Sequence, residues 1–316
     1  MPALLDAPAA GDGFRHQAMF YQTPADYQSA VLRFVRDGLS RAEPVLVAVP
    51  GPSGAVVREG LAGQPAEVVF ADMTQLGLNP ARIIAAIWDF IERHDGSQVR
   101  FVTESAWPGR SAAEAREVAV HEAMVNLAFA AAPVSVMCPY DISRLAPVFA
   151  RRAACTHPVI VTAQGARPSA DYAAGRAPRA VTRPLPEPPA RAQRLPYTTD
   201  LRAVRQFVAA WAARAGLGAE RIADLVLATG EVAANTVRHS PGGGMAHIWR
   251  SRSEVICQVT DNGRIGDPLA GRRRPPGPSG LGLWVVHQVC DLVEMRTGRR
   301  GTTVRMHMAL PKLGPT

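Results

Sequence analysis

Lysine is almost absent from this chain of 316 residues, and its scarcity excludes two common kinds of nucleotide site. Lys312 is the only lysine in the sequence. A P-loop needs a lysine directly after its last glycine, and a eukaryotic-type protein kinase needs one on a strand facing the phosphates. Because Lys312 lies in neither context, the sequence fits neither class.

Cysteine and long apolar runs are also scarce. The four cysteines lie far apart, and no two of them form a C-x-x-C pair, which argues against a zinc site or a disulfide framework. No apolar run approaches the roughly 18 residues of a membrane span. The N-terminal segment lacks the basic and apolar regions of a signal peptide. We therefore expect a cytoplasmic protein with reduced thiols and no membrane contact.

Arginine supplies nearly all of the positive charge, and the net charge is +8. A basic chain first suggests nucleic acid as the partner. However, no aromatic residues alternate with the basic clusters, as a platform for stacking bases would require. Nucleic acid is therefore not an expected partner.

Residues 14–165 are predicted to form an α/β domain with a mainly parallel sheet. Short apolar runs typical of strands alternate with helical patterns, and almost continuous apolar strands indicate a sheet covered on both faces. The predicted strands are 44–49, 67–71, 99–103 and 134–138, and the predicted helices are 25–39, 80–93 and 111–131. Residues 1–13 are expected to be a flexible N-terminus.

Proline and arginine dominate residues 166–197, which predicts a linker between two domains. Residues 198–313 follow a different order of two helices, two strands, a Gly/Pro/Arg-rich loop, a helix and a hairpin. This order indicates an α+β domain with helices on one face of a mixed, mainly antiparallel sheet. Apolar and polar residues alternate along 304–310, which predicts that one face of this sheet is buried.

A carboxylate and a carboxamide lie one helical turn apart in the second domain. Glu231 and Asn235 fall on a predicted helix, 219–238, opposite its apolar face. Such a pair can activate a nucleophile and hold a metal ion. Two ordinary surface residues would give the same pattern.

Glycine-rich segments follow that helix. Asp261 ends a predicted strand and precedes Gly263 and Gly266, so its carboxylate could accept a hydrogen bond from an exocyclic amine. Asp-Asn-Gly is also a good turn sequence. The Gly-Leu-Gly segment at 280–282 opens the next helix, where backbone amides attract phosphate, although it could simply be a flexible entry to the helix.

In this order the motifs resemble the GHKL superfamily, with its Bergerat ATP-binding fold, and within it the RsbW-type anti-sigma-factor serine kinases. The resemblance covers about residues 198–311, and His239 completes an E-x-x-x-N-x-x-x-H pattern. It implies an ATP site built without a lysine. The implied ATP-binding residues are Asn235, Asp261, Gly263, Gly266, Gly280, Leu281, Gly282 and Thr303.

The resemblance also implies separate roles for these side chains. Glu231 would be the catalytic base for a partner's serine hydroxyl or for water, and Asn235 would hold Mg²⁺ through its carbonyl oxygen. Asp261 would bind the adenine amino group. Gly280 and Gly282 would present backbone amides to the phosphates.

Two other functions remain open for this domain. Arg264 stands where many relatives have a small residue or proline, so a non-catalytic, nucleotide-dependent interaction switch is an alternative. A stand-alone small-molecule ATPase is a third hypothesis. A histidine kinase is not favoured, because neither the basic residue nor the proline of its phosphoacceptor motif follows His121-Glu122.

Polar residues follow several strands of the first domain, including Glu104, Tyr140 and Asp141. The carboxyl ends of parallel strands line a ligand crevice, although strand-end turns and helix caps would use the same residues. The segments 14–16, 107–110 and 138–141 resemble the MEDS sensory domain, a RecA-like fold without a P-loop, over about residues 14–163. The resemblance implies a small-molecule sensor whose candidate residues are His16, Tyr21, Glu104, Trp107, His121, Tyr140 and Asp141.

The sequence thus predicts a sensor-coupled, ATP-binding anti-sigma regulatory factor with serine/threonine protein kinase activity. Its expected cofactors are ATP and Mg²⁺. Its expected partners are a sigma factor or an anti-sigma-factor antagonist, a small molecule bound to the first domain, and a second copy of the chain in a homodimer. Such a protein would control transcription in a stress response.

Overall fold

The computed structural model describes residues 13–63, 68–173, 181–277 and 280–311. The chain divides into two compact units, Met1–Ala177 and Pro178–Thr316. Except for Gly13, the expected flexible N-terminus lies outside the described residues.

The first unit is a layered α/β fold. Its described strands form one sheet in the order β3-β2-β4-β5-β1-β6-β7, in which only the pair β6–β7 is antiparallel. The predicted mainly parallel sheet is therefore confirmed. Its elements are β1 (Arg15–Tyr21), α1 (Pro24–Ser40), β2 (Val45–Val49), α2 (Gly51–Gly60), β3 (Val68–Asp72), α3 (Met73–Leu76), α4 (Ala81–Arg93), β4 (Val99–Thr103), α5 (Ala112–Ala128), β5 (Val134–Asp141), α6 (Pro147–Thr156), β6 (Val159–Thr162) and β7 (Gly165–Pro168).

Local sequence explains where the main helices of this unit begin. Thr23 and Ser111 each form a capping box. The hydroxyl of the cap residue accepts a hydrogen bond from the backbone amide three residues later, and the acidic side chain at that later position accepts one from the amide of the cap residue. The central strands β2 and β4 are buried along their whole length. This arrangement brings the carboxyl ends of the parallel strands to one edge of the sheet.

The second unit is an α+β sandwich. Five strands form an antiparallel sheet in the order β11-β12-β10-β9-β8. The predicted fold class, with helices on a mainly antiparallel sheet, is confirmed. Its elements are β8 (Gln193–Tyr197), α7 (Leu201–Arg214), α8 (Ala219–His239), β9 (Gly244–Arg250), β10 (Glu254–Asp261), α9 (Leu281–Val289), β11 (Leu292–Gly298) and β12 (Gly301–Ala309).

The apolar core of the second unit lies between its helices and one face of the sheet. Leu225 and Ala233 of α8 are fully buried, and they belong to the same cluster as Val304, Met306 and Met308 of β12. The alternation along β12 therefore places its apolar residues toward the helices.

The predicted burial of this face is confirmed, and the opposite face is covered as well. Arg305 and His307, on the opposite face of β12, are also buried. The proline-rich segment supplies part of the cover, because Arg305 donates to the carbonyl of Pro186, and Thr297 donates its amide to Val181. Ion pairs of His307 with Glu254 and Glu294 then offset the burial of charge on this face.

Two edge strands occupy the margins of the proline-rich segment. β7 contains Pro168 and β8 contains Pro196, and each strand lies at the edge of its sheet. Proline is tolerated there because an edge strand leaves one side of its backbone without a ladder partner. No helix in the described part of the chain is long and apolar enough to cross a membrane.

Candidate functional site

Five of the seven candidate residues of the first unit fall into two groups. Tyr21 and Glu104 lie at the carboxyl edge of the sheet, where the Tyr21 hydroxyl donates to Oε1 of Glu104 at 3.1 Å. Asp141 is aligned with Tyr21 between β1 and β5, and its Oδ1 accepts from the amide and hydroxyl of Ser143. Asp141 therefore also caps a turn. This edge can offer two carboxylates and a phenol to a ligand.

Burial makes the carboxyl of Glu104 a weaker acid than an exposed glutamate. Its carboxyl is almost fully buried, and this raises its pKa to about 7, although hydrogen bonds with Ser53 and Tyr21 lower it. The same burial, with the nearby Glu104 carboxylate, raises the pKa of Tyr21 far above its usual value. A buried carboxyl that titrates near neutrality is typical of functional sites.

His16 belongs to a different group, at the amino-terminal part of β1. It lies with Glu122, Cys138 and His157 in a buried cluster of four side chains, which we call the His16 cluster. Tyr140 packs edge-on against His157, with ring centroids 5.8 Å apart.

The remaining two candidates have structural surroundings of their own. The guanidinium of Arg110 lies 3.5 Å from the centroid of Trp107 and donates to the carbonyls of Ser105 and Gly77. Trp107 is therefore covered by a cation–π contact. His121 is fully buried on α5.

In the second unit, the structure brings Glu231 to the first turn of α9. A Cβ on Gly282 would lie 2.5 Å from Oε2 of Glu231, so the carboxylate occupies the space beside this glycine. Amides at the start of a helix are the donors that attract phosphate oxygens. The candidate base and the candidate phosphate-binding segment, which the chain separates widely, are thus neighbours.

Asn235 lies one turn further along α8 and is half-buried. Its Oδ1 accepts a hydrogen bond of 3.2 Å from the guanidinium of the exposed Arg238. The oxygen that the resemblance assigns to Mg²⁺ therefore has a cationic partner in this structure.

Asp261 is held at the end of β10 by two donors. Thr236 of α8 donates its hydroxyl to Oδ2 at 2.7 Å, and the amide of Gly263 donates to Oδ1 at 2.7 Å. Each carboxylate oxygen can accept more than one hydrogen bond, so acceptor capacity remains for a ligand. These contacts fix the direction of the carboxylate.

Thr302, and not Thr303, lies beside Asp261. Thr302 is paired with Asp261 across β12 and β10, and its hydroxyl donates to the carbonyl of Gly263 at 2.9 Å. Because side chains alternate along a strand, Thr303 points to the opposite face, together with Arg305. The neighbouring threonine thus supports the Asp261 loop.

The glycines of the loop differ in what surrounds them. A Cβ on Gly263 would lie 2.9 Å from Oδ1 of Asp261 and 3.3 Å from the carbonyl of His239, so packing alone requires glycine there. A Cβ on Gly266 would meet no atom of the described residues within 4 Å. Gly280 has a φ of 83° and caps α9 in the left-handed conformation. Within the described part of the chain, space is therefore open beside Gly266, whereas Gly263 is closely packed and a Cβ on Gly280 would be in ordinary contact with Pro275.

The basic loop between β10 and α9 is anchored at several points. Ile265 packs against the core, and its amide donates to Thr297 at 3.1 Å, whereas Arg264 is exposed. Arg272 is fully buried, so this arginine of the loop is not part of a solvated basic surface. The guanidinium of Arg274 lies 5.6 Å from the centroid of Trp284.

Comparison with known families agrees with both units. Residues 15–158 match the MEDS family (methanogen/methylotroph, DcmR sensory domain), and residues 196–308 match the histidine kinase-like ATPase domain. The chain joins a MEDS domain to a histidine kinase-like ATPase domain. The ATPase-domain match implies that the second unit binds ATP.

One solved structure with similarity to this chain contains the RsbU and RsbW domains of Rv1364c from Mycobacterium tuberculosis. It is 21% identical, with a TM-score of 0.31, and the match covers 40% of this chain and 35% of that chain. A TM-score of 0.31 is too low for fold or function to be inferred from this similarity. No curated protein matches the chain.

Sequence reasoning missed several polar residues in both domains. In the ATPase domain, Thr236 orients Asp261, and its position next to Asn235 gave no distinct signal. In the MEDS domain, Glu122 and Asn126 are four residues apart and both face His16. Their E-x-x-x-N spacing, read as a helical face turned toward β1, could have identified this contact.

Proposed function

We propose that this protein is a sensor-coupled, ATP-binding anti-sigma regulatory factor with serine/threonine protein kinase activity. The observation that carries the proposal is the position of the Glu231 carboxylate against Gly282, at the start of α9. A general base must lie within reach of the group that it deprotonates, and here it lies beside the amides that would hold phosphate. The match to an ATPase domain supports the nucleotide part of the proposal.

The polar groups of the site fit a nucleotide. Asp261, held by Thr236 and Gly263, would accept a hydrogen bond from the adenine amino group. The open space at Gly266 would admit the flat base, and the turn at Gly280 would present amides to phosphate. The remaining proposed nucleotide contacts are Leu281 and Gly282.

Bound ATP with Mg²⁺ would supply an activated phosphoryl group. In this arrangement Glu231 accepts the proton of a partner's serine hydroxyl and orients its oxygen. Asn235 offers a carbonyl oxygen to the cation once Arg238 releases it. The first turn of α9 stabilises negative charge through its amides.

We propose a division into a sensory domain at 14–165, a linker at 166–197 and an ATP-binding domain at 198–313, in which the two ends of the linker add β7 and β8 to the sheets of the two domains. A small molecule bound by the MEDS domain would set the activity of the ATPase domain. The partners would be a sigma factor or its antagonist, and the output would be transcription in a stress response. The presence of both domain types in one chain supports this coupling.

The test compares nucleotide binding with phosphoryl transfer in the full chain. Glu231→Gln should keep ATP binding within about threefold and lower phosphoserine formation on an anti-sigma-factor antagonist at least a hundredfold, because general base catalysis contributes about 10²–10⁴-fold. Asp261→Ala should lose ATP binding. Unchanged phosphoserine formation in Glu231→Gln, or no ATP binding by the folded wild-type chain, would contradict the proposal.

A second candidate is a non-catalytic, nucleotide-dependent interaction switch. It is favoured by the hydrogen bond from Arg238 to Asn235, which occupies the proposed Mg²⁺ oxygen. In that case Arg238→Ala would leave phosphoryl transfer undetectable, and Glu231→Gln would keep nucleotide-dependent partner binding. Under the kinase proposal, Arg238→Ala should lower the Mg²⁺ concentration needed for half-maximal phosphorylation.

A further inference from the structure

The His16 cluster belongs to the MEDS domain, whereas the proposed nucleotide residues belong to the ATPase domain. Its members come from four places in the chain: β1, α5, β5 and the residue that follows α6. The side chains of His16 and His157 are fully buried, and that of Glu122 is 3% exposed. One ligand atom from each of the four side chains lies within 4.8 Å of the other three.

Four distances between ligand atoms of the cluster agree with a tetrahedral metal site. Oε2 of Glu122 lies 3.4 Å from Nε2 of His16 and 3.3 Å from Nε2 of His157. Sγ of Cys138 lies 3.4 Å from Nε2 of His16 and 3.6 Å from Oε2 of Glu122. Tetrahedral zinc, with bonds of about 2.0–2.3 Å, would separate nitrogen from oxygen by ~3.4 Å and sulfur from either by ~3.6 Å.

Hydrogen bonds on the far side of each imidazole indicate which nitrogen carries the hydrogen. Nδ1 of His157 lies 2.8 Å from the carbonyl of Ala153, which can only accept. Nδ1 of His16 lies 3.1 Å from Oδ1 of Asn126, whose amide nitrogen donates to the carbonyl of Thr156. Both Nδ1 atoms are therefore donors, so in the neutral rings both Nε2 lone pairs face the cluster.

Two imidazole lone pairs and a carboxylate oxygen that meet in a buried space repel one another unless a cation lies between them. The carboxylate of Glu122 and the thiolate of Cys138 would together carry the charge that balances a divalent ion. The other carboxylate oxygen of Glu122, Oε1, accepts a hydrogen bond from the Ser105 hydroxyl at 2.6 Å. Such outer contacts are typical of protein metal ligands.

We propose that His16, Glu122, Cys138 and His157 bind one divalent transition-metal ion of the zinc type. Mixed imidazole, thiolate and carboxylate ligands suit Zn²⁺ and exclude Mg²⁺ or Ca²⁺ as the preferred ion. Four protein ligands close the coordination sphere, so the ion is structural and joins the sheet to α5. The absence of C-x-x-C pairs excludes sites built on paired cysteines, but not one assembled from four separate elements.

The experiment measures metal in the full chain, purified without metal-affinity resin. We expect about one zinc per chain by mass spectrometry, and Co²⁺ exchanged into the site should give tetrahedral visible bands and a thiolate charge-transfer band. Cys138→Ser should lose the charge-transfer band and bind Co²⁺ at least tenfold more weakly. Cys155→Ser, a control in the same unit, should keep both.

A second variant covers the case in which Cys138→Ser does not fold. With Cys155, Cys257 and Cys290 changed to Ala, Cys138 is the single thiol, and the charge-transfer band should persist. Failure of the folded wild-type chain to bind Zn²⁺ or Co²⁺ at one equivalent would overturn the proposal and leave a cluster that shares protons. A cobalt spectrum that Cys138→Ser does not change would also overturn it.

Discussion

The carboxylate of Glu231 fills the space next to Gly282, where a Cβ would lie 2.5 Å from Oε2. This contact joins the middle of α8 to the start of α9. Glycine is thus favoured at position 282 even without a ligand, because a side chain there would displace Glu231. The same contact brings a carboxylate to amides that would face phosphate.

The first prediction concerns Gly282→Ala. Because the obstructing atom is the end of a flexible side chain, the carboxylate should rotate away, and the free energy of unfolding should change by less than about 1 kcal/mol. Phosphoserine formation should fall at least tenfold, because the base is misplaced. The measurement is antagonist phosphorylation by the full chain, with unfolding followed in urea.

Gly277→Ala, in the loop before α9, is the control, because a Cβ there meets no atom of the described residues within 4 Å. It should leave both phosphorylation and stability close to the wild type. If Gly282→Ala phosphorylated as well as Gly277→Ala, the contact between residues 231 and 282 would have no part in catalysis.

The second prediction concerns Gly301, at the tip of the final hairpin. Its φ is 105°, and a Cβ would lie 1.9 Å from the carbonyl oxygen of Asp261. Neither backbone can move away cheaply, so Gly301→Ala should lower the free energy of unfolding by about 3 kcal/mol. It should also weaken ATP binding, since the strain falls on the residue proposed to hold adenine.

Gly298→Ala, in the same hairpin, is the control for this strain. A Cβ on Gly298 would lie 3.9 Å from the carbonyl oxygen of Thr182, which is an ordinary van der Waals contact. The measurement is the free energy of unfolding of the wild type, Gly301→Ala and Gly298→Ala by chemical denaturation. Equal stability of Gly301→Ala and Gly298→Ala would contradict the strain argument.

The fold of both domains could be predicted because its signals are local. Apolar runs such as 99–103 coincide with β4, and the helical pattern at 219–238 coincides with α8 to within one residue. What the pattern could not show was a second buried face behind Arg305. Burial of that face depends on bonds to Val181 and Pro186, which lie far away in the sequence.

Sites were harder to predict because they depend on pairing between distant segments. The motif order placed Glu231 and Gly282 in one candidate site, yet only the packing of α8 on α9 shows their contact. In the MEDS domain, His16 and Tyr21 lie on the same strand but belong to different groups of side chains, because they lie near opposite ends of β1. Neither Cys138 nor His157 lies in a sequence pattern with the spacing of metal ligands.

The third prediction concerns the pH dependence that Glu104 gives to the MEDS domain. Burial raises the pKa of its carboxyl from 4.5 to about 7, so the folded state holds a proton that the unfolded state releases between these values. The stabilisation is fully present below pH 4.5 and is lost as pH rises to about 7. The loss amounts to roughly 3 kcal/mol.

Glu104→Gln should remove this dependence, because glutamine keeps an acceptor for the Tyr21 hydroxyl and cannot lose a proton. The variant should therefore gain stability over the wild type as pH rises from 4.5 to 7, as measured by urea denaturation at a series of pH values. Glu59→Gln, which changes an exposed carboxyl of the same unit, should follow the wild-type profile. Parallel profiles for Glu104→Gln and the wild type would show that Glu104 ionises at the same pH in the folded and unfolded chain.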